Sequence, residues 1–203
     1  MGKRGSYHHG DLRAALVDAA LALIAERGIE ALSVAEVARR TEVSPAAPYR
    51  HFPTREALLQ ATAIRAAELL AAELREALDD KEDPGEALAI AAGVYVRFVC
   101  RHHAGMDLIF SDELRNLGDP ALTEAGRAVT DILLPIGMAL TGNDAEAALA
   151  LLRKNTAAAH GYAVLFLSGF LRRRSIDIDD IAAEAADTSR ILAAAAKGGP
   201  PSR

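Results

Sequence analysis

Between Ser33 and Arg55 the chain combines small side chains with hydrogen-bond donors at spacings suited to a polyanion. Pro45, Ala46 and Ala47 are small enough for their backbone to approach a groove floor, where an alanine methyl can touch a thymine methyl. Tyr49 and His51 can donate to phosphate oxygens, Arg50 to a phosphate or a guanine edge, and Arg55 adds a further cation. Ser33 and Ser44 stand where two helices are expected to start. Free backbone N–H groups and the positive end of the helix dipole favour a phosphate there. The chemistry this points to is DNA binding. Five of these residues also have a plainer role: Ser33 and Ser44 as caps, Tyr49 packed beneath the first helix, Arg50 and Arg55 as solvated charges.

These side chains need a small platform, and the flanking sequence predicts one. A first helix is expected from Asp11, a good N-cap, to Arg27, with Leu12, Leu16, Ala19, Ala20, Leu23 and Ile24 on one face and Gly28 past its end. Ser33-Val34-Ala35-Glu36 reads as a capping box, opening a short helix to about Arg40. Thr41-Glu42-Val43 reads as a turn, and Ser44-Pro45 as the cap and first position of a third helix ending near Phe52-Pro53. Thr54 is expected to cap a long fourth helix running to about Asp79. Two short helices separated by about three residues have the spacing of a helix-turn-helix.

The string from Leu32 to Ala63 resembles the DNA-binding domain of the TetR family of transcriptional regulators. The resemblance rests on the Ser33–Glu36 box, Val37-Ala38, Val43-Ser44, the Tyr49-Arg50-His51-Phe52 run and Arg55-Glu56-Ala57-Leu58-Leu59; with the upstream amphipathic helix ending at Gly28, which also fits, it covers about fifty residues in fixed order. It implies DNA-backbone contacts by Tyr49, His51 and Arg55. Two positions depart from the family pattern. Glu42 stands where the turn usually has glycine, and a positive φ there costs about 1 kcal/mol or somewhat more. Pro48 stands where many relatives carry Thr or Ser; it lacks an N–H and disfavours helical geometry at Ala47. The third helix is therefore expected to be short or bent.

Beyond Asp83-Pro84-Gly85, longer helices are expected at about 84–103, 106–117, 120–141, 144–171 and 177–197, with Pro135 kinking one of them. Ala158–Gly169 and Met106–Leu114 resemble a His-Gly-containing subgroup of the family's C-terminal domains. That resemblance implies a homodimer built from the last two helices. Ala158, Gly161, Leu165 and Ser168 would serve it on one helix, and Ile181, Ala185, Thr188, Leu192 and Ala195 on the other. It also implies a cavity for a small-molecule effector, with Phe98, Met106, Phe110, Met138, His160, Tyr162 and Phe166 as candidate lining. An intramolecular core is the alternative for each of these residues.

Composition narrows the class. Alanine, leucine, glutamate and arginine dominate and strand-like runs are missing, so an all-α fold is expected: an N-terminal helix-turn-helix domain joined to a larger helical domain. The expected divisions are a flexible arm at 1–10, the DNA-binding domain at 11–58, an effector-binding and dimerisation domain at 59–197, and a tail at 198–203. The net charge of −5 is unevenly placed. Residues 1–60 carry eight Lys/Arg against seven Asp/Glu, while 61–203 carry 15 against 21, so the acidity lies away from the proposed DNA-binding segment.

Cys100 has no cysteine to pair with, and no apolar run reaches the roughly 18 residues a membrane helix needs, so a cytoplasmic location is expected. No metal or cofactor is expected: His102 and His103 are adjacent and diverge by about 100° on a helix, and no ligand-like spacing accompanies them. An enzyme on a helical bundle is a competing class, but no acid pair, nucleophile–base spacing or phosphate-binding glycine loop supports it. A DNA-binding scaffold whose C-terminal half only dimerises is another.

Overall fold

The computed structural model describes residues 9–103, 119–171 and 176–198. Among them are seven α-helices and no strand: α1 His9–Arg27, α2 Val34–Arg40, α3 Arg55–Leu78, α4 Pro84–His102, α5 Pro120–Leu140, α6 Ala145–Leu167 and α7 Ile178–Lys197. Short 3₁₀ turns occupy Ile29–Ala31 and Pro48–Arg50. The all-α expectation holds. The helix expected at 106–117 lies outside the described residues, as do most of the expected arm and tail. The chain divides into two compact units, 1–66 with 102–123 and 67–101 with 124–203, so the division falls within α3.

In the first unit the apolar stripe of α1 is buried as its spacing predicts, with Leu16, Ala20, Leu23 and Ile24 fully enclosed. Leu32, Val34, Val37 and Ala38 around α2, Phe52, and Leu58 and Leu59 of α3 complete the core. Burying each of the larger side chains stabilises by about 1.5–3 kcal/mol. Asp11 lies inside α1 instead of capping it, because the helix begins at His9. Gly28 ends α1 with φ +80°, its N–H bonded to the Ile24 carbonyl. Thr54 caps α3 as expected, accepting from the Ala57 N–H at 3.1 Å.

In the second unit α6 and α7 form the most extensive helix pair. Asp144 caps α6 and Asp177 caps α7, the latter in a full capping box with Asp180. Between the two helices the buried side chains of Asn155 and Ser189 hydrogen-bond to each other, and the Tyr162 hydroxyl meets Thr188 Oγ1 at 3.0 Å. Gly137 lets α5 pass close to α6, since a Cβ there would meet Ala148 Cβ at 3.3 Å. Leu88, Leu140, Leu151, Leu152 and Ala193 form one apolar cluster of this unit. α5 continues as a helix through Pro135, which is exposed.

The turn after α2 has a defined form. The Glu42 N–H bonds to the Arg39 carbonyl at 3.3 Å and the Val43 N–H to the Ala38 carbonyl at 3.1 Å, the paired bonds of a Schellman motif. That motif places Glu42 at φ +55°, the left-handed conformation anticipated from the sequence. Side-chain-bearing residues lose about 1–2 kcal/mol there. Glycine avoids that strain but gives back part of it, about 0.5–1 kcal/mol, in unfolded-chain entropy. Glu42→Gly is therefore expected to raise stability by about 0.5–1 kcal/mol, read from the urea midpoint with an unchanged slope. A lower midpoint would show that the Glu42 side chain contributes more than the strain costs.

Candidate nucleic-acid interface

Ser33 adopts extended geometry at the start of α2, and its hydroxyl accepts from the Glu36 N–H at 3.1 Å. The expected capping box is only half formed. Instead of returning to the Ser33 N–H, the Glu36 carboxylate takes two bonds from Arg39 at 2.8 and 2.7 Å and lies 3.5 Å from Arg40 and 3.7 Å from Arg27. Three guanidinium groups outbid one backbone donor. Arg40 also reaches back to α1, donating to both oxygens of Glu26, and so ties α1 to α2.

From Ser44 to Phe52 the chain departs from the expected third helix. The Ala47 N–H bonds to the Ser44 carbonyl at 2.9 Å, Pro48–Arg50 forms a 3₁₀ turn, and the N–H groups of His51 and Phe52 both reach the Pro48 carbonyl. Pro48 supplies no N–H, so the bond that would carry an α-helix through this point is missing. Ala47 nevertheless keeps helical angles, φ −65° and ψ −43°, so the segment bends without unwinding. Pro48 is buried beneath it. Ser44 takes part through its carbonyl and not through a hydroxyl cap.

The side chains singled out by sequence between Ser44 and His51 lie along one largely exposed stretch of chain, a ridge between α2 and α3. Ser44, Pro45, Ala46, Tyr49 and Arg50 are exposed, Ala47 and His51 half-buried, and Ser33 is exposed at the start of α2. Tyr49 is 52% exposed, so it does not pack under α1. Arg55 is placed differently: its Nε donates to the Leu32 carbonyl at 2.8 Å and an Nη to the Ile29 carbonyl at 2.9 Å. It fastens the start of α3 to the turn ahead of α2. One residue carried no expectation: the Arg13 guanidinium of α1 lies over the Phe52 ring, 5.2 Å from its centroid. No short-range pattern links positions 13 and 52, so the sequence gives no signal of this contact.

The residues proposed for the second unit separate by burial. Ile181 is 0% and Ala185 1% exposed, so both belong to the chain's own core and offer no surface to a second copy. They recur four apart on the face of α7 that also buries Ala182 and Ser189, so for these two the intramolecular core, the alternative left open by the sequence, is what the structure has. Ala158, Gly161, Thr188 and Leu192 are half-buried, while Leu165, Ser168 and Ala195 are exposed. Val164 and Ile191 are exposed and apolar without having been anticipated. Among the candidate cavity residues Phe98 and Phe166 are buried, and Met138, His160 and Tyr162 are half-buried. His160 Nδ1 lies 3.1 Å from the Tyr95 hydroxyl. Met106 and Phe110 lie outside the described residues.

Residues 16–62 match the family profile described as bacterial regulatory proteins, tetR family. Residues 88–189, half of the chain, match the profile of the tetracyclin repressor-like C-terminal domain. The chain belongs to the TetR family. Among solved structures it is similar to a protein of unknown function from Rhodococcus sp. RHA1, with 29% identity over 93% of this chain and 98% of the other, at a TM-score of 0.75. It shares its fold with a tetR-family transcriptional regulator from Streptomyces coelicolor, 22% identical over 95% and 84% of the two chains at a TM-score of 0.69. A TetR-like transcriptional regulator from the same Rhodococcus strain gives 20%, 96%, 100% and 0.66 in the same order. No curated protein sequence matches significantly. Membership of the TetR family makes this a regulator with a DNA-binding helix-turn-helix, and no helix among the described residues is long and apolar enough to cross a membrane.

The Glu36 network of this TetR protein has a pH signature. Hydrogen bonds from Arg39, followed by its charge and the contributions of Arg40 and Arg27, hold the Glu36 carboxyl at about 2, well below its ordinary 4.5. A carboxylate with a depressed folded-state pKa stabilises the fold above its unfolded value and loses that contribution as pH falls. The contribution is thus full above about 5 and disappears between the two values. Glu36→Gln is expected to be less stable than wild type near neutral pH, with the two urea midpoints converging as pH falls toward 2. A gap that stayed constant across this window would remove the network as its cause.

Proposed function

We propose that the chain is a ligand-responsive transcriptional repressor that binds a palindromic double-stranded operator as a homodimer, with residues 11–58 as its DNA-binding domain and 59–197 as its effector-binding and dimerisation domain. The reading rests on one observation above all: an exposed ridge of small and donor side chains, Ser44 to His51, held between a fixed turn at Glu42 and the capped start of α3. In this reading Pro45, Ala46 and Ala47 approach the major-groove floor and Arg50 reaches a base edge or phosphate. Ser33, Ser44, Tyr49 and His51 hold the phosphates on either side. Arg55 serves mainly by fixing the platform, and in this reading its remaining donors are available to the same phosphates.

A dimer offers two such ridges to half-sites about one helical turn apart, roughly 34–36 Å. An effector entering the larger helical domain favours a subunit geometry in which that spacing is lost, which requires only unequal affinity for the two states. His160 with Tyr95, and Tyr162 with Thr188, are the polar groups offered to such a molecule; Phe166, on the same helix as His160 and Tyr162, and Met138 on α5 are the apolar ones. The protein acts in the cytoplasm, needs no cofactor, and catalyses nothing.

Selection of duplexes from a randomised pool is expected to return a palindrome bound with nanomolar-range affinity and a steep inverse dependence on salt. Joint replacement of Tyr49 and His51 by alanine is expected to weaken retention of that palindrome by about tenfold to a hundredfold while the melting temperature hardly moves. Recovery of no enriched sequence from the pool would end the regulator reading. For the dimer, Leu165→Glu combined with Ile191→Glu is expected to yield monomers in sedimentation velocity, because a charge buried without a partner costs several kcal/mol. A dimer that persisted with both charges would move the interface elsewhere.

A further inference from the structure

Seven arginines are described in the first unit, and five of them have fixed partners. Arg27, Arg39 and Arg40 surround Glu36, Arg40 also holds Glu26, Arg55 holds the Ile29 and Leu32 carbonyls, and Arg65 lies 3.3 Å from Asp18. Arg50 and Arg13 are the remaining two. Neither has a carboxylate or carbonyl partner among the described residues, and both are exposed. Arg50 sits on the ridge itself. Arg13 sits on α1, a helix to which sequence assigned only a packing role, yet its guanidinium lies over the ring of Phe52, one residue beyond His51.

A ring beneath a guanidinium restrains it without occupying its N–H donors, which lie in the plane of the group. Phe52 is 2% exposed and therefore a rigid support, so Arg13 is an exposed cation with five unclaimed donors placed beside the ridge. In a segment whose net charge is close to zero, such a cation has a large share of the local positive potential.

We propose that Arg13 is a DNA-contacting residue on α1, a phosphate clamp that grips the duplex backbone flanking the site read by Ser44–His51. This inference rests on the regulator reading and extends it to a helix outside the helix-turn-helix. The contact is to phosphate, so it adds affinity and register without sequence preference.

The test compares full-length wild type, Arg13→Ala and Arg13→Lys on the selected palindrome and on a scrambled duplex of the same composition, over a salt series. Each phosphate neutralised contributes about 0.9 to the slope of log affinity against log salt, so Arg13→Ala is expected to reduce the slope by close to two per dimer. Affinity for both duplexes should fall about tenfold or more by the same factor, leaving their ratio unchanged. Arg13→Lys should restore most of the slope. An unchanged slope, or a loss confined to the palindrome, overturns the proposal. A lowered melting temperature with weak binding that lysine does not rescue overturns it as well, since Arg13 would then serve only to pack against Phe52. Failure of the wild type to bind either duplex is a different result: it removes the regulator reading itself, and this inference falls with it.

Discussion

Two hydrogen bonds from Arg55 to the carbonyls of Ile29 and Leu32 hold the first unit in order. The ridge from Ser44 to His51 is too short and too irregular to fix itself: it has one 3₁₀ turn, a proline without a donor, and few internal bonds. Its position is imposed from its ends. On one side the Schellman turn at Glu42 stops α2 at a set angle, and on the other Arg55 fastens the start of α3 to the segment that precedes α2. Hydrogen bonds from a charged donor are worth more than neutral ones, about 1.5–3 kcal/mol each, and this one residue makes two of them across more than twenty positions of sequence. Arg40 adds the tie between α1 and α2. The cations that composition suggested were available for DNA are in this way largely occupied with assembling the platform.

The second unit is ordered by a different device. Its helices are rich in alanine, and alanine surfaces are smooth enough to slide past one another. The buried Asn155–Ser189 pair fixes the register of α6 against α7, because a one-turn slip would leave two polar groups unsatisfied in an apolar surround. Close passages at Gly137 and at Gly93, where a Cβ would lie 3.5 Å from the Ala182 carbonyl, restrict the same freedom from neighbouring helices. At the rim, Arg190 takes both oxygens of Glu86.

Periodicity, caps and turn residues were legible because their physics is local. The stripe of α1, the stops at Gly28 and Thr41–Val43, the left-handed Glu42, and the caps at Ser33 and Thr54 all depend on residues within a few positions of one another. What could not be read was competition. Glu36 has a local partner in Ser33, but three arginines take its carboxylate. The resemblance assigns Arg55 to the DNA backbone, but two carbonyls more than twenty residues away hold it. The contact of Arg13 with Phe52 spans 39 positions with no periodic trace. Ile181 and Ala185 carry the spacing of an interface, yet the same spacing describes a core face, and only burial separates the two.

Pro48 has a consequence for how the ridge is able to vary. In an ordinary recognition helix every residue is also a structural unit, and an exchange that lowers helical propensity loosens the rod. Here the backbone path is already dictated by a buried ring with fixed torsion and by anchors at both ends. Pro45, Ala46 and Ala47 carry little of that structural duty. New side chains at these three places are expected to change the chemistry the ridge presents while the scaffold keeps its shape, with small losses of stability.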